Sequence, residues 1–346
     1  MSEASLYRKY RPQEFKTVRG QEAIVSVLEA AIAQKKLGHA YLFSGSRGTG
    51  KTSTARIFAR AIGTDEKDLY ELDAASNNGV EDIRSILDGV STHPFESQFK
   101  VYIIDEVHML SKAAFNAFLK TLEEPPKFVI FILATTELEK VPETIRSRCQ
   151  VFEFKKPSRE ALKGMVVDVA KAEGATIAPS GAELVAMMGD GSYRDTLSIL
   201  QKVLTISKDK KLTEEEVAQV VGAPKAQVVN DFLSALAKKD IATALGALAS
   251  SEESGVDTKL FCLLVLAKLR GVLLLRFGGK DMQKKVEEQF GEEDAQFLLG
   301  LSGTEGAAIN SNVLAEIITA YLGMNRAPLP SLPLELALYR LFGENT

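Results

Sequence analysis

The sequence predicts an α/β fold with a parallel sheet over residues 1–157, followed by a region that is all helix. Three observations carry this. Apolar strand-like runs alternate with helical patterns as far as Pro157, a glycine-rich turn ending in Lys51-Thr52 joins the first of those runs to a helix, and beyond Pro157 strand signal almost vanishes. Alternation of this kind implies parallel strands joined by helical crossovers.

In chain order, the candidate strands are 40–43, 69–72, 101–104, 128–133 and 151–154, with helical patterns at 22–35, 53–61, 79–90 and 112–122. Pro125-Pro126 stops the last of these helices, because proline has no N–H to donate and clashes with the preceding turn. Ser158, after Pro157, can cap a helix beginning near Arg159. Residues 158–222 read as a small helical module with helices to 173 and at about 180–188, 194–205 and 213–221. Gly222-Ala223-Pro224 reads as a linker. Residues 223–346 form an alanine- and leucine-rich helical region, broken at 250–255, 278–279 and 328–333. No internal repeat is visible.

The chemistry concentrates in Gly45-Ser46-Arg47-Gly48-Thr49-Gly50-Lys51-Thr52, which follows the strand-like Tyr41-Leu42-Phe43 and opens a helix with Ser53. Glycines let a backbone turn aim consecutive N–H groups at a phosphate, and the helix presents its positive end to the same oxygens. Lys51 adds a charge that reaches the β- and γ-phosphates, and Thr52 offers a hydroxyl to Mg²⁺. A second element is Lys100-Val101-Tyr102-Ile103-Ile104-Asp105-Glu106, a buried-strand pattern ending in two carboxylates, at the edge where α/β sheets place ligands. Asp105 would hold Mg²⁺ through water and Glu106 would polarise an attacking water, so the pair of elements points to nucleotide hydrolysis. The bland alternative, a glycine turn and an unrelated acidic strand end, treats the Lys-Thr ending and the paired carboxylates as coincidences.

Composition bounds the rest. A chain of 346 residues holds about two or three domains. Its 45% hydrophobic and 25% charged residues are ordinary for a globular protein. The formal net charge of −4 argues against coating nucleic acid by bulk electrostatics, so any DNA contact is local. Cys149 and Cys262 are too few for a disulfide framework or a four-ligand zinc site and fit a reducing, cytoplasmic setting. The first residues show no secretory pattern. Residues 260–277 are apolar over a membrane-spanning length, but Lys268 and Arg270 at the middle would each cost ~2.5–3.5 kcal/mol in a bilayer, which favours a helix inside a bundle and no membrane partner.

Further motifs carry a resemblance. Leu133-Ala134-Thr135-Thr136 resembles sensor 1 of the AAA+ ATPases, with Thr136 the sensing group. Ser147-Arg148-Cys149 resembles the clamp-loader motif whose arginine enters the neighbouring subunit's site, and Gly191-Ser192-Tyr193-Arg194-Asp195 resembles sensor 2, with Arg194 reaching the γ-phosphate. Tyr7-Arg8-Lys9-Tyr10-Arg11-Pro12, Gly20-Gln21-Glu22, Asp73 to Val80, Asp105 to Leu110 and Leu119 to Pro126 are similar to the gamma/tau family of bacterial DNA polymerase III, densely from Leu6 to about Gln201 and more weakly to Pro333 to Leu338.

The resemblance implies an AAA+ P-loop NTPase sheet (1–157), a helical lid (158–222) and an all-α collar for oligomerisation (223–346). It implies ATP and Mg²⁺ as cofactors, with nucleotide held by Arg11, Pro12 and residues 45–53, that is Gly45, Ser46, Arg47, Gly48, Thr49, Gly50, Lys51, Thr52 and Ser53. Catalysis falls to Lys51, Asp105, Glu106, Thr136, Arg194 and, in trans, Arg148. The function implied is ATP-driven opening and loading of the sliding clamp onto primer-template DNA, within a DNA-directed DNA polymerase holoenzyme. The partners are the delta and delta-prime subunits and further gamma copies, with single-strand-binding and polymerase machinery indirectly. Members of the family usually carry a four-cysteine zinc module where this chain has only residues 62–68 and no cysteine, so no zinc is expected; helicase- and polymerase-binding domains of the long tau form are not expected either.

Alternatives stay open. Arg148 also fits a surface arginine satisfying a helix end, and Arg194 an ion pair with Asp195. His39, His93 and His108 read as structural, although His108 could relay nucleotide state. Cys149 reads as packing before redox chemistry, and Lys120 equally as a DNA-phosphate contact or a solvated lysine. For the whole chain, the alternatives are a non-hydrolysing structural subunit of the same ring, another AAA+ DNA motor such as a branch-migration helicase, and a nucleotide-gated assembly switch.

Overall fold

A computed structural model describes residues 5–303 and 308–343. The chain forms two compact units, Met1–Gly164 with Gly189–Ser198, and Met165–Met188 with Ile199–Thr346.

The first unit is built on a five-stranded sheet, β1 Ala40–Ser44, β2 Leu69–Asp73, β3 Lys100–Asp105, β4 Val129–Thr135 and β5 Gln150–Glu153, in the order β2-β3-β4-β1-β5 with every pairing parallel. Alternation along the three central strands, β1, β3 and β4, serves two cores. Leu42, Tyr102, Ile104, Phe131 and Leu133 face one side with Phe118 and Ile145, while Tyr41, Phe43, Val101, Ile103, Ile130 and Ile132 face the other with Leu28 and Phe58. Both faces are covered, which is why the strands read as continuous apolar runs. The chain leaves β1 for the far edge at β2, returns through β3 and β4, and then crosses β1 to β5. The carboxyl ends of β1, β3 and β4 therefore lie side by side at this reversal, the place where such sheets bind ligands.

All five expected strands form, with ends shifted by one or two residues. The helices Glu22–Ala33, Lys51–Ala61, Val80–Val90 and Lys112–Glu123 match the patterns read from the sequence, the last ending at the residue before Glu124-Pro125. Ser158 caps the Arg159–Ala172 helix through its hydroxyl, which accepts from Ala161 N–H at 3.1 Å.

The second unit packs helices on a core that includes Phe232, Phe261, Val265, Leu269, Leu298, Ile317, Leu334 and Leu338. Its helices include Pro179–Met188, Glu214–Val221, Ala226–Lys238, Ile241–Glu253, Thr258–Phe277, Gly279–Phe290, Glu292–Ser302, Ser311–Gly323 and Leu332–Phe342. A small parallel pair, β6 Thr176–Ile177 with β7 Lys211–Leu212, lies outside the expected strands. The apolar run at 260–277 falls within the Thr258–Phe277 helix, where Lys268 is buried and reaches Asp294 at 2.6 Å. Among the described residues no helix is long and apolar enough to cross a membrane.

Candidate functional site

The loop between β1 and the Lys51–Ala61 helix is built around three glycines with positive φ, +141° at Gly45, +73° at Gly48 and +102° at Gly50. Conformation alone favours glycine there, and space enforces it at two of them. A Cβ on Gly45 would lie 2.4 Å from the Phe154 carbonyl oxygen, and one on Gly48 would lie 2.0 Å from Ser192 Oγ. Gly50 starts the helix without a side-chain cap, an arrangement whose first N–H groups suit an anion.

Lys51 is buried, and its Nζ donates to the carbonyls of Gly45 (2.7 Å) and Ser46 (2.9 Å). Burial lowers its ammonium pKa, while Glu106 and Asp105 pull in the opposite direction. Thr49 fastens the loop by donating to Ser46 O at 2.9 Å. Ser46 Oγ is buried without a hydrogen-bond partner, an unspent polar atom in a loop of this shape. Arg47 is exposed and Ser53 half-buried.

At the neighbouring strand end, the Thr52 hydroxyl donates to Asp105 Oδ2 at 2.7 Å, and Asp105 Oδ1 accepts from Glu106 N–H at 3.0 Å. A hydroxyl and a carboxylate in contact form a hard-oxygen donor set that suits Mg²⁺. Glu106 follows with φ +48°. Its Oε2 accepts from both the Thr136 amide (3.2 Å) and the Thr136 hydroxyl (3.0 Å), at the end of β4. The expected groups Lys51, Thr52, Asp105, Glu106 and Thr136 are thus gathered at one edge of the sheet.

Arg194 is brought to this edge by its neighbour Tyr193, and Arg11 lies within electrostatic reach of Arg194. Tyr193 N–H donates to Gly48 O at 3.0 Å, which ties the start of the Tyr193–Ile206 helix to the phosphate-type loop. The Arg194 guanidinium lies 5.0 Å over the Tyr7 ring, and no ion pair joins it to Asp195 among the described residues. Arg11 and Pro12 are half-buried. Burial lowers the Arg11 pKa first and Arg56 next, with Glu71 opposing and Arg194 and Arg8 adding to the depression. Like charges crowded in this way favour an anionic ligand.

Arg148 makes its contacts elsewhere, donating to Thr144 O (2.7 Å) and to Glu123 Oε1 (2.6 Å). Within the single chain this is the helix-end contact that the sequence left open. Burial pushes the Cys149 thiol up to about 12, in keeping with packing. Lys120 and His39 are exposed, and His93 stacks on Phe128 at 4.5 Å. Tyr7, Ser192 and Glu123 lie within stretches that carry the resemblance, but no spacing marks them as the neighbours of Arg194, Gly48 and Arg148.

Three comparisons bear on identity. The family model described as DNA polymerase III, delta subunit, matches residues 20–79 and 64–158. The tau subunit of DNA polymerase III from Bacillus subtilis is 41% identical over 86% of this chain, and gamma/tau from Mycobacterium bovis is 36% identical over 97%. The chain spans 57% and 62% of the length of those two relatives. Among solved structures, the Thermotoga maritima RuvB Holliday junction branch migration motor has the same fold over 72% of this chain and 86% of its own, with a TM-score of 0.52 and 24% identity.

Proposed function

Over the part that it shares with them, the chain belongs to the gamma/tau subunits of bacterial DNA polymerase III, and from that premise we propose that it is an ATP-dependent motor subunit of a clamp loader. It would open the sliding clamp and load it on primer-template DNA in the cytoplasm, in a ring with delta, delta-prime and further gamma copies. The observation that carries the hydrolytic part is the Thr52–Asp105 contact of 2.7 Å beside Glu106. Thr52 and the neighbouring pair Asp105-Glu106, 53 residues further along the chain, meet there, which supports reading them as a metal-holding pair beside a water-orienting carboxylate.

On this reading the loop 45–53 cradles the triphosphate through its N–H groups, and Lys51 exchanges its two carbonyl partners for β- and γ-oxygens. Thr52 and Asp105 would hold Mg²⁺, which when bound neutralises charge on the phosphate oxygens. Glu106 orients the attacking water and Thr136 senses it. Arg11, Pro12 and Arg194 close on the nucleotide from the side. Arg148 acts on the nucleotide of the neighbouring subunit, so that turnover reports assembly. Residues 158–222 serve as the lid and 223–346 as the collar. ATP favours the clamp-opening arrangement to the extent that its γ-phosphate contacts differ between the two states.

The test is ATP turnover by the complete complex with clamp and primed DNA, set beside MgATP binding. Lys51→Ala should abolish nucleotide binding. Arg148→Ala should leave binding within about twofold and cut turnover by ~10³-fold or more, the range known for arginine fingers. Equal loss of binding in both variants, or an isolated chain that turns over as fast as the complex, contradicts the trans role. A complex that loads clamps with no turnover at all points instead to a non-hydrolysing subunit or a nucleotide-gated switch.

A further inference from the structure

The reading of Glu106 leaves unused a buried imidazole beside it. The His108 side chain is only 6% exposed. Its Nδ1 lies 3.0 Å from Thr135 Oγ1 and 3.4 Å from Glu106 Oε2, and its Nε2 lies 3.3 Å from Glu137 Oε1. Glu137 is itself fixed: its N–H donates to Thr135 Oγ1 at 3.0 Å and its Oε1 accepts from Lys140 Nζ at 2.9 Å. The 3-10 turn Val107–Met109, closed by Met109 N–H to Glu106 O at 2.9 Å, folds His108 back under Glu106.

The Thr136 amide and hydroxyl therefore donate to one oxygen of the Glu106 carboxylate, and His108 Nδ1, hydrogen-bonded to Thr135 Oγ1, packs against that same oxygen at 3.4 Å. Among the described residues no hydrogen bond engages Oε1. We propose that His108 is a positioning residue for Glu106, buttressing Oε2 together with Thr136 so that Oε1 is the atom presented to the attacking water. The proposal rests on Glu106 being the water-orienting group. A glutamate side chain left to rotate holds a water poorly, and a misplacement of about 1 Å can cost about 10²-fold in rate. The Nδ1 hydrogen bond to Thr135 Oγ1 at 3.0 Å, with Nε2 lying 3.3 Å from Glu137 Oε1, holds the ring in place beside Glu106.

The experiment measures kcat, KM and MgATP binding in the complete complex with clamp and primed DNA, for His108→Ala, His108→Asn and His108→Gln, each alone and combined with Glu106→Gln. An asparagine amide can stand where Nδ1 stands, whereas a glutamine amide reaches the Nε2 side. We expect His108→Ala to lower kcat by about 10- to 100-fold with binding and KM within about twofold. His108→Asn should recover most of the loss and His108→Gln little of it, and His108→Ala should add nothing in the Glu106→Gln background. A kcat for His108→Ala within about twofold of the parent, rescue by glutamine equal to that by asparagine, or additive losses with Glu106→Gln would each overturn the proposal. If the alanine variant does not fold, the asparagine-against-glutamine contrast decides. If Glu106→Gln alone turns over like the parent, the role of Glu106 fails and the brace falls with it; if Glu106→Gln is inert while His108→Ala is unimpaired, only the brace fails.

Discussion

At the scale of single residues, the meaning of Arg148 depends on which contacts it can exchange. Its partners in the chain, Thr144 O and the half-exposed Glu123, are those of a side chain held at the surface. Exposed pairs of this kind contribute only ~0.2–1 kcal/mol, so exchanging them for a phosphate of full charge is cheap. Asp68 shows the opposite economy. It is fully buried, and its two oxygens accept from the N–H groups of Phe95 (2.6 Å), Glu96 (3.0 Å) and Ser97 (2.9 Å). Burial alone would raise its pKa, but the hydrogen bonds from Glu96, Phe95 and Ser97 together outweigh it and hold the carboxyl at about 2. A depressed carboxyl contributes stability above its unfolded-state value, near 3.8, that drains away as pH falls toward 2. We expect Asp68→Asn, which leaves buried donors facing an amide nitrogen, to cost about 1–3 kcal/mol near neutral pH. The gap between parent and variant in urea unfolding should close as pH drops from about 4 to about 2. A gap that stays constant across that interval would assign the loss to packing and not to the carboxylate.

At the scale of elements, the start of the Tyr193–Ile206 helix is fitted to the phosphate-type loop by Gly48. Alanine there would bring Cβ within 2.0 Å of Ser192 Oγ at a φ of +73°, so both sterics and backbone oppose it. Gly48→Ala should displace this helix start together with Arg194 and weaken MgATP binding by at least about tenfold, equivalent to ~1.4 kcal/mol. Adding Ser192→Gly should restore part of the affinity, since it removes the two shortest contacts and leaves the Ser192 Cα at 3.3 Å, the strained φ and the loss of the Ser192 hydroxyl that accepts from Asp195 N–H; no recovery would place the whole defect outside the Ser192 side-chain clash. In the helical unit, Lys268 on Thr258–Phe277 is locked to Asp294 on Glu292–Ser302 at 2.6 Å, and Asn230 bridges the two by accepting from Lys268 Nζ (2.8 Å) and donating to Asp294 Oδ1 (3.2 Å). Lys268→Met strands a buried carboxylate and should cost about 3–5 kcal/mol, whereas Lys268→Met with Asp294→Leu should cost much less. Equal losses in the single and double variants, read by chemical unfolding, would show that shape and not charge is at stake.

These elements also mark what sequence could and could not show. The five strands were legible because each is an apolar run bounded by turn residues, and the loop at 45–52 because its glycines precede a Lys-Thr pair. β6 and β7 are two residues long and paired across the separation from Thr176 to Lys211, too short for any alternation to register. The break at Lys239 escaped because a lysine with φ +58° ends a helix where glycine would have signalled it. The approach of His108 to Glu137, of Glu123 to Arg148 and of Gly48 to Ser192 depends on tertiary packing, which no local pattern encodes.

At the scale of the whole molecule, two units each have their own core, and the groups that would bind nucleotide all lie in the first, Arg194 included, because Gly189–Ser198 belongs to it. A ligand stabilises what it binds by mass action, so MgATP at about 100 times its Kd should add ~2.7 kcal/mol to the first unit. For a unit of that size this corresponds to roughly 5–10 °C in Tm. With no tryptophan in the chain, the two units are best separated by calorimetry together with hydrogen exchange. Added MgATP should raise one transition and slow exchange in peptides around 41–61, 100–110 and 129–136, while peptides from 226–343 keep their rates. Lys51→Ala should remove the shift without lowering the starting Tm by a comparable amount, since Lys51 donates only to its own loop carbonyls when no phosphate is bound. Slowed exchange spread evenly through both units would mean that they fold as one, and that nucleotide acts on the helical unit through global stability and not through the contacts of a single site.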